Sequence, residues 1–298
     1  MKNFALIGVA GFIAPRHLQA IRDTGNNLVA ALDKFDSVGI MDSYFPQADF
    51  FTEFERFDRH LEKLRRQGKK IDYVTICSPN YLHDSHIRFA LRHQADAICE
   101  KPLVLNPWNL DALAELEKET GKRVYTILQL RLHPAIQALK KKIDSAPKGK
   151  QFNVTLRYIT SRGHWYLHSW KGDESKSGGV ATNIGVHFFD MLLWIFGKAT
   201  KNIIEEMEDD HASGTLQLEK ANVKWYLSIN AEHLPDEAKA KGKRTHRSLQ
   251  IEGKEIEFSD GFTDLHTKCY EQILAGKGFG ISDARMSIDT VYQLRKAH

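Results

Sequence analysis

Residues 3–33 read NFALIGVAGFIAPRHLQAIRDTGNNLVAALD, and the fold turns on this stretch. FALIGVA is short and apolar, as a buried strand requires. Pro15 stands where a first-turn proline is tolerated, Leu18 and Ile21 give helical spacing, and Gly25 offers a C-terminal cap. NNLVAALD then reads as a second strand ending at Asp33. Strand, helix and strand together span about 30 residues, the size of a mononucleotide-binding βαβ unit. Gly8 and Gly11 would let the backbone approach a pyrophosphate at the helix N-terminus, where N–H groups and the positive dipole end lie. Asp33 could accept hydrogen bonds from a ribose diol, and its charge would repel a 2′-phosphate, which favours NAD over NADP. The run is G-x-x-G-x-x-A, one residue longer than G-x-G-x-x-G. Alone it would equally describe a tight turn with no ligand, and the flanking strand, helix and acid decide for the dinucleotide.

The alternation continues outward. Strands are expected at 48–51, 71–77, 95–99 and 124–128, with helices at 55–67, 83–93 and 109–120. That order implies an α/β fold with a doubly wound parallel sheet. Ligands bind such sheets beyond the carboxyl ends of the strands. Those ends present Asp33, Ser78-Pro79-Asn80, Glu100-Lys101-Pro102 and Gln129.

After Leu130 the pattern changes. A helix is expected at 133–143 and an alternating strand of an antiparallel sheet at 151–160, followed by a long aromatic loop, SRGHWYLHSWKGDESKSGG, over 161–179. One helix is expected over 180–196, stopped by Gly197. Strands at 200–206, 212–219, 223–230, 247–252 and 255–258 and helices at 263–275 and 283–296 complete the chain. The division is therefore residues 1–130, a dinucleotide-binding Rossmann domain, and 131–298, an α+β domain on a mainly antiparallel sheet for substrate and oligomerisation.

The 298 residues suit two domains, and 42% hydrophobic with 27% charged residues is ordinary globular composition. No apolar run approaches the ~20 residues of a membrane span, and the opening apolar stretch reads as a strand rather than a signal peptide. A net charge of +4 suits a small anionic ligand and is too weak to argue for nucleic acid. Three cysteines without a C-x-x-C pair predict core residues in a cytoplasmic protein, not a disulfide framework or zinc site.

Two residues have a case for catalysis. Lys101 follows a buried strand and precedes a proline. A lysine desolvated beside a cationic nicotinamide ring gives up its proton more readily and could polarise a substrate hydroxyl. The bland alternative is a surface lysine on a loop. His187 lies in SGGVATNIGVHFFDML, where Asn183, His187 and Asp190 fall at i, i+4 and i+7, on one face of the expected helix. That polar stripe is either a core network in which Asp190 orients His187, or a base facing a cofactor. The histidine pairs at 83/86 and 164/168 lack a completing carboxylate or cysteine, so no metal is expected. The basic run Lys239, Lys241, Lys243, Arg244 and Arg247 is a solvated loop or a contact for phosphates.

GVAGFIA, SPNYLH, the Glu100-Lys101-Pro102 triplet and GVHFFD at 185–190 together resemble the Gfo/Idh/MocA family of nicotinamide-dependent sugar oxidoreductases, over essentially the whole chain. The resemblance implies roles for Lys101 near the nicotinamide and for His187 as acid/base, supported by Asn183 and Asp190. It adds Phe12, Ile13, Leu82, His83 and Glu100 to Gly8, Gly11, Asp33, Ser78, Pro79, Asn80, Lys101 and Gln129 as cofactor contacts. Most members carry aspartate four residues before the histidine; here Asn183 stands there. That departure, with RGHWYLHSWKG and FTDLHTKCYEQILAG, is similar to the branch that oxidises the 3-hydroxyl of UDP-2-acetamido-2-deoxyglucuronate for bacterial surface polysaccharide such as O-antigen. Members of that branch recycle NADH with 2-oxoglutarate and form homotetramers, and the chain stops earlier than the branch implies, so closing residues are expected to be missing. A carboxylate and two phosphates need cations: Arg157, Arg162 and Lys171 are expected to supply them. Tyr158, Trp165, Tyr166, Asn183 and His187 are expected at the sugar. A free-polyol dehydrogenase and a non-catalytic dinucleotide-binding regulator are the alternatives; neither a membrane nor a nucleic acid is an expected partner.

Overall fold

Strand and helix alternate through the first 126 residues: β1 (Asn3–Ile7), α1 (Ala14–Asp23), β2 (Asn27–Leu32), β3 (Asp49–Phe51), α2 (Phe54–Arg66), β4 (Tyr73–Ile76), α3 (His83–Arg92), β5 (Asp96–Cys99), α4 (Pro107–Thr120) and β6 (Val124–Thr126). The computed structural model describes residues 1–256, 258 and 264–297. The six strands form one parallel sheet in the order β3-β2-β1-β4-β5-β6, and the order reverses between β1 and β4. Helices on both faces explain why β4 is buried at all four positions and reads as an unbroken apolar-rich run.

The second stretch follows as α5 (Pro134–Asp144), β7 (Phe152–Thr160), α6 (Trp165–His168), α7 (Glu174–Ser177), α8 (Gly179–Asn183), α9 (Val186–Phe196), β8 (Ala199–Met207), β9 (His211–Leu218), β10 (Ala221–Ser228), α10 (Asp236–Ala240), β11 (Thr245–Ile251) and β12 (Lys254–Glu255). Its sheet runs β12-β11-β7-β10-β9-β8. β7 pairs antiparallel with β11 but parallel with β10, so the sheet is mixed and not purely antiparallel. On β7, Phe152, Val154, Leu156 and Tyr158 are buried. They share a face with Val223, Trp225 and Leu227 of β10, and α9 covers that face through contacts such as Phe152–Phe196 and Phe189–Trp225. The expected 161–179 loop contains two short helices, α6 and α7. The strand expected at 255–258 falls partly outside the described residues; within them β12 ends at Glu255.

The chain ends in α11 (Leu265–Leu274) and α12 (Ile281–Lys296). It divides into two compact units, Met1–Val104, Trp108–Gln129 and Thr263–Ala284 in one, and Leu105–Pro107, Leu130–Phe262 and Arg285–His298 in the other. The expectation gave each domain one uninterrupted segment, whereas α11 returns to pack on α1 within the first unit. In the second unit, Arg285 donates to the Pro107 carbonyl and Arg295 to Leu105 and Asn106. Cys77, Cys99 and Cys269 are all buried free thiols. Among the described residues no single helix is long and apolar enough to cross a membrane.

Candidate active site

The turn after β1 is built by a close approach. Gly8 has φ +90°, and a Cβ there would lie 2.6 Å from the Cys77 carbonyl carbon and 2.8 Å from the Ser78 nitrogen. Both the left-handed backbone and the pass against the end of β4 therefore require glycine. A Cβ on Gly11 would lie 3.0 Å from the Gly8 oxygen. Asp33 accepts from the Ala10 amide at 2.9 Å through one oxygen and from the Phe35 amide at 3.0 Å through the other. It thus clamps the glycine turn to the end of β2, and each oxygen keeps a lone pair for a diol. Phe12 is 90% exposed beside this turn. The side-chain oxygen of Gln129 is buried and has no hydrogen-bond partner among the described residues. An orphaned acceptor at the carboxyl end of a parallel sheet fits a ligand that donates to it. Glycine turn, clamped carboxylate and open acceptor are the donor and acceptor set a dinucleotide needs.

The β4 and β5 ends are braced to each other. His83, 1% exposed, places Nδ1 2.7 Å from the Pro102 carbonyl and Nε2 2.9 Å from the Ser78 carbonyl. Ser78 Oγ lies 2.9 Å from His86 Nδ1, and Asn80 is buried. Ser78 and His83 therefore position the turns that carry Asn80 and Lys101.

Glu100 is 6% exposed, and sequence reasoning missed what surrounds it. Its Oε1 lies 2.9 Å from His17 Nε2 and 3.0 Å from His266 Nε2, while Oε2 accepts from the Lys101 amide at 3.2 Å. His17 Nδ1 meets the Tyr270 hydroxyl at 2.8 Å, and that hydroxyl meets Thr75 Oγ1 at 2.8 Å. Burial alone would raise the Glu100 carboxyl, but hydrogen bonds from His17 and His266 hold it well below the usual range. Burial pushes His17 down. One proton assignment serves the whole chain: both imidazoles donate from Nε2 to a carboxylate, and Tyr270 donates to His17 Nδ1. His17, Glu100 and His266 also hold three potential metal-ligand atoms within 4.8 Å of one another, in residues the metal expectation did not weigh.

In the second unit His187 stands out by burial. From Val180 to Leu193 every other residue is buried. Its ring lies edge-on to Tyr158 at 5.9 Å and against Phe188 at 4.2 Å. The expected continuous helix is broken between α8 and α9 by a 48° bend. Gly185 sits at the break, where a Cβ would fall 2.4 Å from the Ala181 oxygen and 2.5 Å from the Leu227 side chain. Asn183 therefore ends α8, while His187 and Asp190 stand at i and i+3 on α9. Asn183 donates to the Tyr166 hydroxyl. Asp190 accepts two bonds from Arg131, at 2.9 and 2.7 Å, with both side chains buried. That pair pins α9 to the turn that carries Arg131, within the second unit.

Strand geometry also sorts the cations. Successive residues of β7 point to opposite faces, so Arg157 and Tyr158 cannot both face His187. Tyr158 does. Arg157 lies on the other face, 5.3 Å over the Tyr226 ring. Arg247, opposite Tyr158 in the register, shares the His187 face and lies 5.6 Å over the Tyr158 ring. Lys171 rests on Trp170 at 4.2 Å and on Trp165, which is 55% exposed, at 5.6 Å. Tyr166 is buried, edge-on to Trp165 at 5.8 Å, and the Arg162 amide is tied to Ile229. Lys241, Lys243 and Arg244 are exposed.

Fold and site define a dinucleotide-dependent oxidoreductase. An oxidoreductase-family model for the NAD-binding Rossmann fold matches residues 2–128, and its companion for the C-terminal alpha/beta domain matches 140–241. The chain belongs to the Gfo/Idh/MocA oxidoreductase family, and its cofactor is NAD. It is 51% identical to the WlbA (WbpB) dehydrogenase of Thermus thermophilus, whose structure with NAD and alpha-ketoglutarate superposes with TM-score 0.96 over 100% of this chain and 96% of that one. A second structure of that enzyme, with NAD and UDP-GlcNAcA, gives 0.95 over 99% and 95%. Among curated relatives, the D-glucoside 3-dehydrogenase of Escherichia coli is 26% identical over 43% of this chain. The match spans 36% of that relative's length, and 37% of the next, a putative oxidoreductase of Bacillus subtilis.

Proposed function

We propose that this chain uses NAD to oxidise the 3-hydroxyl of UDP-2-acetamido-2-deoxy-D-glucuronate to the 3-keto sugar nucleotide. The observation that carries this reading is full-length 51% identity to an enzyme whose structure holds NAD and UDP-GlcNAcA. His187 is the one residue that surfaces from a buried helical segment, and it takes the hydroxyl proton. A neutral imidazole can accept that proton. The Lys101 side chain stabilises the charge that develops on the oxygen as the proton leaves. Gly8, Gly11, Asp33 and Gln129 hold the cofactor, which supplies the acceptor for the C3 hydrogen and its electron pair. Proton removal alone would leave a high-energy alkoxide, so the two transfers are coupled.

Arg247, on the His187 face, is the cation best placed for the acidic group of the sugar, and Arg157 is not. Reoxidation of NADH by 2-oxoglutarate belongs to the proposal, supported by the alpha-ketoglutarate complex of the Thermus enzyme. So do a homotetramer, a cytoplasmic location and a role in O-antigen synthesis.

The test is NADH absorbance on adding UDP-GlcNAcA, UDP-GlcNAc, free glucuronate and myo-inositol in turn, with tetramer mass read by light scattering. Absorbance with UDP-GlcNAcA that is lost in both Lys101→Ala and His187→Ala, with NAD still bound, supports the assignment. Turnover of inositol alone would move the chain to the free-polyol dehydrogenases, and tight NAD binding with no turnover to a regulator.

A further inference from the structure

We propose that Glu100 is a positioning residue for Lys101, held in that role by His17 and His266, so that the lysine turn is locked to the helix opening the cofactor site. The inference rests on the reading of Lys101 given above.

Among the described residues, every contact made to the Glu100 carboxylate is a donor. Oε1 faces two imidazole Nε2 atoms and Oε2 faces the Lys101 amide. Only an acceptor-only group satisfies all three; the isosteric glutamine would turn an NH2 toward at least one of them. The donors come from separate elements. His17 lies in α1, three residues after Ala14, where the pyrophosphate end of the cofactor is expected. His266 and Tyr270 stand at i and i+4 on α11, hence on one face. Tyr270 passes the network to Thr75 on β4. One buried carboxylate thereby ties α1, β4, the end of β5 and α11 together immediately before Lys101.

The other titratable groups facing Glu100 are Cys77 on β4, Cys99 on β5, Cys269 and Tyr270 on α11, all with protons held on by burial, and His83 on α3, pushed down by burial. None of them replaces the carboxylate charge.

The test uses the full-length protein with NAD and UDP-GlcNAcA, comparing Glu100→Gln, His266→Gln and His266→Phe with wild type. Glu100→Gln is expected to keep NAD bound and lower kcat by about tenfold or more, with KM little changed. His266→Gln, which can still donate to Oε1, should keep more activity than His266→Phe. Should Glu100→Gln not fold, the His266 pair carries the same comparison of kcat and KM. An unchanged kcat, or a fall in kcat matched by loss of NAD, would overturn the proposal, as would one equivalent of zinc or iron in the purified protein. Wild-type activity in Lys101→Ala would instead sink the functional reading on which it rests.

Discussion

Asp190→Ala separates two roles for one carboxylate. Because Asp190 pairs with Arg131, its loss leaves a guanidinium with 5% side-chain exposure without the Asp190 charge. Removing one partner of a buried pair costs about 3–5 kcal/mol, because the remaining charge keeps its desolvation penalty. For a unit of this size each kcal/mol moves Tm by about 2–4 °C, so a fall of roughly 10 °C is expected. Four of the five tryptophans (Trp165, Trp170, Trp194 and Trp225) lie in the second unit, so tryptophan fluorescence on heating or in urea reports that unit. Arg131→Met combined with Asp190→Leu removes both charges and should recover most of the loss. Below the transition, Asp190→Ala should retain the wild-type pH-rate profile. A Tm within about 2 °C of wild type, together with a shifted pH-rate limb, would refute the ion-pair role and restore Asp190 as the partner of His187.

Three further outcomes are expected. Gly8→Ala should abolish NAD binding and destabilise the first unit, since its Cβ would meet the β4 backbone at 2.6 Å; isothermal titration with NAD checks this, and near-wild-type affinity would disprove the close approach. Arg247→Met should raise KM for UDP-GlcNAcA about tenfold or more, while Arg157→Met leaves it within about threefold; equal effects would contradict the sorting by sheet face. His86 is lowered to about 4 by burial and the neighbouring His83, so the unfolded chain binds its proton first as pH falls below the ordinary ~6.5. Its contribution is complete above that pH and about 3 kcal/mol is lost by pH 4, so His86→Asn should flatten the fall in urea stability between pH 7 and 4.5.

The Rossmann half was legible because its signals are local. Each strand is a short apolar run, each helix carries 3.6-residue spacing, and the glycine turn needs only neighbours in sequence. The second unit was less legible where a tertiary contact overrides local pattern. VATNIGVHFFDML carries an unbroken helical spacing, yet Gly185 meets Leu227 and the helix bends there. Arg157 and Tyr158 were both assigned to the sugar, although strand alternation already forbids them one face.

The sequence by itself determined the alternating layers, the glycine turn with Asp33, and the two residues with a case for catalysis, Lys101 and His187. Tertiary structure alone decided their surroundings. His17, Glu100 and His266 are separated by 83 and 166 residues, and Arg131 and Asp190 by 59. No periodicity links positions so far apart. Only folding shows that a buried carboxylate must find its donors there, because a charge removed from water is tolerated only where such partners converge.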